Sequence, residues 1–406
     1  MTNHTLIARY QQVRQTTLDI CSRLENEDFV VQPTPEVSPP KWHFGHVTWF
    51  FETVILKKFK ANYQAFNRAY DELFNSYYKA IGTHTIQSER GNLSRPTVAE
   101  IMRYRVHVDD AITSLLAEAI TDELANLIET GLHHEQQHQE LLFMDIKTIL
   151  ASNSLPTQYA QTPLSAAPAP ISTWINIEEG LYKVGFDHAD GSFSYDNERP
   201  HHKHYLYPFA ICQSLVTNGE FLAFMQDSAY CEAHYWLSLG WDWINQTKTH
   251  HPLYWSKVDG KWFEYTLHGL IPLDMNKPLV HISYFEADAF AKWKGLRLPT
   301  EQELEIYLST ASNKPTSKTD TYHPNDANAS EQVWCWTSSQ YSPYPRFKAF
   351  DGVLNEYNGK FMCNQFVLRG GCVVTPDQHY RNSYRNFYLP HQRWMFSGIR
   401  LAKDIV

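Results

Sequence analysis

The sequence predicts a two-domain α+β protein, a helical bundle followed by a sheet-rich domain, and three observations carry that expectation. The 406 residues exceed what one ordinary hydrophobic core organises. Apolar residues recur at helical spacing up to about residue 152 and in short β-prone runs thereafter. Between the two textures lies SNSLPTQYAQTPLSAAPAP, residues 152–170, rich in Pro, Ala, Ser and Gln and without apolar period. That composition marks a linker. The expected division is a bundle over 1–152, a linker over 153–172 and the second domain over 173–406.

The first helix is read in LIARYQQVRQTTLDICSRL and the second around KWHFGHVTWFFETVIL. A third runs through SRPTVAEIMRYRVHVDDAITSLLAEAI, where Ser94, Pro96 and Thr97 mark its start. The fourth is TDELANLIETGLHHEQQHQELLFMDIKTIL, with a break expected near Gly131. Four long helices suit a bundle. After the linker, GLYKVGF, YLYPFAI, LVHISYF and QFVLRGG read as strands, and TNGEFLAFMQ and YFEADAFAKWKG as short helices. Residues 226–278 and 309–335 read as long irregular segments of the kind that carry function.

Hydrophobic residues make up 43% and aromatic residues 14% of the chain, enough for packed cores rather than disorder. The formal charge of −9 and the lack of a basic stripe argue against a nucleic-acid partner. No apolar run reaches membrane-spanning length, so no membrane association is expected. Cys21, Cys212, Cys231, Cys335, Cys363 and Cys372 are scattered without a CxxC pair, and the N-terminus lacks the apolar core of a signal peptide. Free thiols and a reducing, cytoplasmic location are the expectation.

Chemistry concentrates in HHEQQHQE, residues 133–140. Side chains four apart on a helix lie nearly above one another, so His134 and His138 can present two imidazoles to one ion. His133 points about a quarter-turn away. Glu140, two residues past His138, faces away from the pair and is read as a partner orienting a ligand ring. A third ligand must come from another helix. In SPPKWHFGHVTWFFET, His46 shares a helical face with Phe50 and Thr53, and His43 competes for the role. Three neutral imidazoles leave about half of an octahedral shell open, which suits ferrous iron, while zinc, copper and nickel also accept imidazole.

SPPKWHFGHVTWFFET together with HHEQQHQE resembles the DinB-like four-helix iron domain of the EgtB family, the sulfoxide synthases of the ergothioneine pathway. VGFDHADGSFSYDNERPHHKHYLYPFAICQSLVTNGEFLAFM resembles the opening of a formylglycine-generating-enzyme-type domain, a variant of the C-type lectin fold. PLVHISYFEADAFAKWKGLRLPTEQELE, VWCWTSS, VLRGG and RNFYLPHQRWMFSGIRLA resemble its later signatures in the same order. The resemblance implies a metal set of His46, His134 and His138, with His43 and His133 as neighbours. Formylglycine-generating enzymes use a cysteine pair near the C-terminus, a pattern that Cys363 and Cys372 do not reproduce. Copper-dependent formylglycine chemistry is therefore not expected. The sequence ends at Val406, soon after the GIRLAKD signature, whereas ovothiol synthases generally carry a further methyltransferase domain; the ergothioneine branch is the expectation.

What the resemblance implies is an iron(II)- and O2-dependent enzyme that joins cysteine or γ-glutamylcysteine to the imidazole C2 of Nα-trimethylhistidine (hercynine) and oxidises the sulfur. LFNSYYKAIG resembles the paired-tyrosine segment of EgtB enzymes that accept free cysteine, which makes Tyr77 and Tyr78 jointly the proton source. Gln137 and Asn386 are implied to bind hercynine by hydrogen bonds. The rings of Phe387 and Tyr388 suit its quaternary ammonium. The thiol donor's carboxylate calls for an arginine, with Arg90, Arg95, Arg381, Arg385 and Arg393 as candidates. Three alternatives stand beside this reading. They are a selenoneine-forming enzyme with a selenosugar donor, a zinc-dependent thiol transferase on the same bundle, and a lectin-like binding module.

Overall fold

The computed structural model describes residues 3–78, 82–118, 120–155, 157–187, 192–310 and 321–405. Parts of the tyrosine segment (79–81), the linker (156), the opening signature (188–191) and the 309–335 loop (311–320) lie outside the described residues. The chain forms two compact units, Met1–Tyr159 with Phe350–Tyr357, and Ala160–Ala349 with Asn358–Val406. Residues 350–357, assigned by sequence to the C-terminal domain, cluster with the helices.

The helical unit is built on four long helices: α1 (Asn3–Cys21), α2 (Pro40–Phe50), α3 (Val98–Leu116) and α4 (Asp122–Ala151). On α1, Leu6, Tyr10, Val13, Thr17 and Ile20 are buried at alternating steps of four and three, one stripe of a helix. Thr97 starts α3 in a reciprocal capping box with Glu100, satisfying two otherwise orphaned N–H groups. Every residue of α2 is buried, and α2 packs against both α3 and α4. Pro40 at its first turn forfeits an N–H that had no helical partner. The chain runs on from α2 through a π-helical turn, Phe51–Leu56.

Two features of α4 matter for the site. The helix passes through Gly131 unbroken, contrary to the expected break. A Cβ there would lie 2.7 Å from the Phe51 ring, so the glycine serves close helix packing rather than termination. An adjoining face buries Glu135, which accepts from Arg14 Nη1 (2.9 Å), Arg105 Nη2 (2.6 Å) and Thr17 Oγ1 (2.6 Å).

The second unit is a set of small sheets. β1 (Trp174–Ile177) and β12 (Ala402–Asp404) flank β4 (Phe209–Cys212), both antiparallel, so the two ends of the unit close on one strand. β10 (Asn386–Tyr388), β9 (Phe366–Arg369), β8 (Trp334–Gln340) and β11 (Ser397–Gly398) form a second sheet in that order. β2 (Gly180–Val184) and β3 (His202–Leu206) form a hairpin. Two sequence expectations change. LVHISYF is not a strand, because Ser283 forms a capping box with Glu286 and starts a helix, Tyr284–Trp293. The segment 226–278 is not irregular throughout. It holds a helix, Ser238–Thr247, and a three-stranded meander, Trp255–Val258, Lys261–Thr266 and Gly269–Pro272.

Signature residues of this half build its interior. Glu301 of LPTEQ takes a two-pronged contact from Arg385 (Nε 2.8 Å, Nη2 2.9 Å) and a third bond from Arg369 Nη2 (3.0 Å). Burial alone would raise the Glu301 carboxyl, but Arg385 and Arg369 more than reverse this and hold it below the ordinary glutamate range. A depressed folded-state value means that Glu301 contributes its stability above the unfolded value. That contribution is lost as pH falls through the depressed one. The urea midpoints of wild type and Glu301→Gln are therefore expected to differ most at neutral pH and to converge in acid. A pH-independent gap would contradict this linkage.

Candidate metal centre

The α2 and α4 helices bring three imidazoles together. One nitrogen from each of His46, His134 and His138 lies within 4.8 Å of the others, and all three side chains are buried. His134 and His138 occupy successive turns of α4, as their spacing requires. The His46 ring is near-parallel to Trp42 one turn before it (centroids 4.6 Å apart, 11°) and to Trp49 one turn after (5.5 Å, 15°). Phe50 packs on His134 at 4.7 Å. Rings wedged in this way have few rotamers to lose on taking up an ion.

Hydrogen bonding fixes which nitrogen of His46 is free. Its Nδ1 donates to the Phe74 carbonyl at 2.6 Å, which leaves the Nε2 lone pair facing His134 Nε2 at 3.2 Å. Phe74 in turn fits against α2 because residue 45 is glycine, where a Cβ would lie 2.2 Å from the Phe74 ring. Burial, then repulsion from neighbouring rings, pushes His46 and His138 well below the ordinary histidine value. Burial lowers His134 to about 3. The three rings are therefore neutral at physiological pH and offer lone pairs.

These residues fit a metal ion. His134 Nδ1 is buried without a hydrogen-bond partner among the described residues, and either tautomer of the ring leaves one of its nitrogens unserved. A cation where the three rings converge takes up lone pairs that no proton serves. The donor set is all nitrogen and uncharged, so the ion keeps its full charge for anionic partners.

The neighbouring histidines do other work. His133 lies 3.2 Å from Arg9 Nη2 and 3.7 Å from Glu129, away from the triad. His43 is not in the triad; its Nδ1 lies 2.7 Å from His138 Nδ1 and its Nε2 2.9 Å from Asp145 Oδ2. His138 thus has a buried ring partner in His43.

The tyrosine segment is tied to the same helix. Tyr78 is fully buried, stacks on Tyr77 at 4.7 Å and packs at 5.6 Å on Trp49, which itself stacks on His46. The Asn75 side chain bonds both the N–H and the C=O of Tyr78, one residue after the carbonyl that holds His46. Gln137 Oε1 accepts from the Tyr357 hydroxyl at 2.5 Å, and the Tyr357 ring lies 5.9 Å from that of His134. Asn386, Phe387 and Tyr388 form β10 of the second unit and are half-buried. Phe387 stacks on Tyr341 at 4.0 Å, and Tyr388 packs edge-on to Trp394.

Of the five candidate arginines, Arg381, Arg385 and Arg393 are engaged by Glu198, Glu301 and Glu286. Arg95 is exposed. Arg90 is buried, lies 3.3 Å over the Trp42 ring and donates to Ser38 Oγ. Its Nε has no hydrogen-bond partner among the described residues. Burial lowers it only to about 9, so it stays cationic at neutral pH.

Sequence reasoning missed Asp145 and Tyr357. Asp145 had a usable signal, for it lies seven residues (two helical turns) after His138 and so on the same face. Tyr357 had none, because it is 220 residues from Gln137.

Residues 9–142 match the DinB superfamily, and residues 160–332 match the sulfatase-modifying factor enzyme 1-like domain. The chain is 28% identical to the hercynine oxygenase of Mycobacterium tuberculosis over 98% of its length and 99% of that protein. It is 27% identical to the hercynine oxygenase of Mycolicibacterium thermoresistibile, covering 92% of this chain and 89% of the relative. Ergothioneine biosynthesis protein 1 of Schizosaccharomyces pombe is 27% identical over 62% of this chain, which spans 31% of that longer protein. An N-terminal helical region that matches the DinB superfamily is thus followed by a sheet-containing region that matches the sulfatase-modifying factor enzyme 1-like domain, and over nearly its whole length the chain is similar to hercynine oxygenases.

Proposed function

We propose that the protein is an O2-dependent non-haem iron(II) oxidoreductase of ergothioneine biosynthesis. It would join a cysteine-type thiol to the imidazole C2 of hercynine and oxidise the sulfur to the sulfoxide. One observation carries the reading: a buried, neutral three-histidine cluster in a chain similar, end to end, to hercynine oxygenases. The reaction balances with O2 alone. The thiol hydrogen and the C2 hydrogen leave with one oxygen atom as water, the other oxygen stays on sulfur, and four electrons are transferred in total.

His46, His134 and His138 would hold the metal. When bound, iron(II) supplies a redox-active Lewis acid with open positions for thiolate and O2. The residues around it do the positioning. The Arg90 guanidinium, cationic and without a bond at Nε, suits the carboxylate of the thiol donor. The Tyr357 hydroxyl donates to the Gln137 amide oxygen, which orients the amide N–H2 that would meet an imidazole acceptor. Tyr77 and Tyr78 jointly would supply a proton at their hydroxyls as oxygen is reduced. Asn386, Phe387 and Tyr388 would bind hercynine, the amide by hydrogen bonds and the rings toward the trimethylammonium group. Six free cysteines support a reducing, cytoplasmic setting.

The deciding experiment incubates the protein with iron(II), hercynine and cysteine in air, with mass spectrometry as the readout. The expected product has the summed mass of hercynine and cysteine plus one oxygen and minus two hydrogens, and it does not form without O2. Product formed anaerobically, or with zinc in place of iron, would replace this reading with a thiol transferase. The double variant Tyr77→Phe, Tyr78→Phe is expected to lose sulfoxide and to divert oxygen to the thiol as a sulfinic acid. Unchanged product would remove both tyrosines from the assignment.

A further inference from the structure

The contacts of His43 form a continuous line. Asp145 Oδ2 accepts the Ser38 backbone N–H at 2.9 Å and lies 2.9 Å from His43 Nε2. His43 Nδ1 lies 2.7 Å from His138 Nδ1. Ser38 and His43 come from the start of α2, Asp145 and His138 from α4, and all four residues are buried.

With one proton on each imidazole, proton counting gives the direction of each bond. A carboxylate that already accepts from Ser38 only accepts, so His43 donates from Nε2. Its Nδ1 then keeps a lone pair, and the 2.7 Å contact takes a proton from His138. His138 is left as the Nδ1–H tautomer with its lone pair at Nε2. His46 reaches the same tautomer by a different route, through the Phe74 carbonyl.

We propose that Asp145 and His43 are positioning residues that lock His138 in the Nδ1–H tautomer, present its Nε2 to the metal and raise its basicity. The proposal rests on the metal-centre reading above. It assigns work to two side chains that ligate nothing themselves. Outer partners of this kind typically change metal affinity about 10–100-fold.

Asp145→Leu is the sharpest probe because it removes the acceptor at nearly constant shape. Oδ2 alone meets both the Ser38 N–H and His43 Nε2, so in the variant a proton on His43 Nε2 would be buried without an acceptor. The His43 ring is then expected to carry its proton on Nδ1 and to donate to His138 Nδ1. His138 is driven to the Nε2–H tautomer, with no lone pair for the ion.

Two measurements test this on the full-length protein. Competition titration with cobalt(II) alone is expected to show an about 10–100-fold weaker dissociation constant for Asp145→Leu than for wild type. Long-range 15N–1H NMR of the metal-free protein is expected to show the His138 proton on Nδ1 in wild type and on Nε2 in the variant. Asp145→Glu, which keeps the carboxylate, is expected to recover much of the affinity. His43→Gln, whose amide oxygen can accept from His138, should keep the Nδ1–H tautomer. If Asp145→Leu is folded, binds cobalt(II) as tightly as wild type and leaves the His138 proton on Nδ1, the relay is overturned. If wild type itself takes up no cobalt(II), the metal-centre reading falls instead, and the tautomer measurement still judges the relay on its own.

Discussion

Replacing His138 by alanine is expected to abolish stable metal uptake and, with it, turnover. The site offers three neutral nitrogens and no carboxylate, so no charge compensates for a lost ligand. Removing His138 leaves two donors, His46 and His134, and the affinity loss should exceed the ~10–100-fold that an outer partner costs. The variant also strips His43 Nδ1 of its partner, a buried hydrogen bond worth about 1–3 kcal/mol to leave unmade. Folding must therefore be followed separately, by circular dichroism and urea midpoint, beside metal content per chain. His133→Ala is the matched control. It lies on the same helix, is equally buried, and contacts Arg9 and Glu129 rather than the triad. Full metal occupancy in folded His138→Ala would sink the three-histidine centre.

Glu135→Ala is expected to destabilise the helical unit strongly while leaving each of the three clustered histidines in the sequence. Glu135 is fully buried and faces two buried arginines, Arg14 on α1 and Arg105 on α3. Burial alone would raise its carboxyl, but Arg105 and then Arg14 hold it at about 2. Arg14 has a second anion in Asp109, at 2.7 Å; Arg105 otherwise bonds only the Arg14 carbonyl among the contacts described. Deleting one partner of a buried ion network costs about 3–5 kcal/mol, because charge is left without compensation. Total stabilities of roughly 5–15 kcal/mol make that a large fraction. Thermal melts should show loss of helix signal at a markedly lower temperature. A melt unchanged from wild type would mean that water reaches these arginines. A volume-matched apolar replacement of all three ionic groups should be far less harmful than the single alanine.

The helices and the His134–His138 pair were legible in the sequence because each rests on local periodicity. His134 and His138 four apart, the Thr97–Glu100 box and the apolar stripe of α1 can all be read from neighbours within a turn or two. Local propensity misled where it was overridden. LVHISYF has the composition of a strand, yet the Ser283–Glu286 box and the backbone bend at His281 (φ 64°) turn it into a helix entry. Gly131 resembled a stop, yet a ring from α2's continuation fills the space a side chain would take.

By itself the sequence determined which residue types could hold a metal, and that two helices had to supply them, since imidazole spacing on a helix is local geometry. Only the tertiary structure decided between His43 and His46, because both lie on one buried helix three residues apart. The choice depends on which ring meets α4's histidines and which meets Asp145. It likewise decided that Glu301, Arg369 and Arg385 serve the interior while Arg90 Nε has no hydrogen-bond partner among the described residues. An arginine's role is set by whether a carboxylate from a distant part of the chain arrives at its guanidinium, and that is a long-range packing outcome no local pattern encodes.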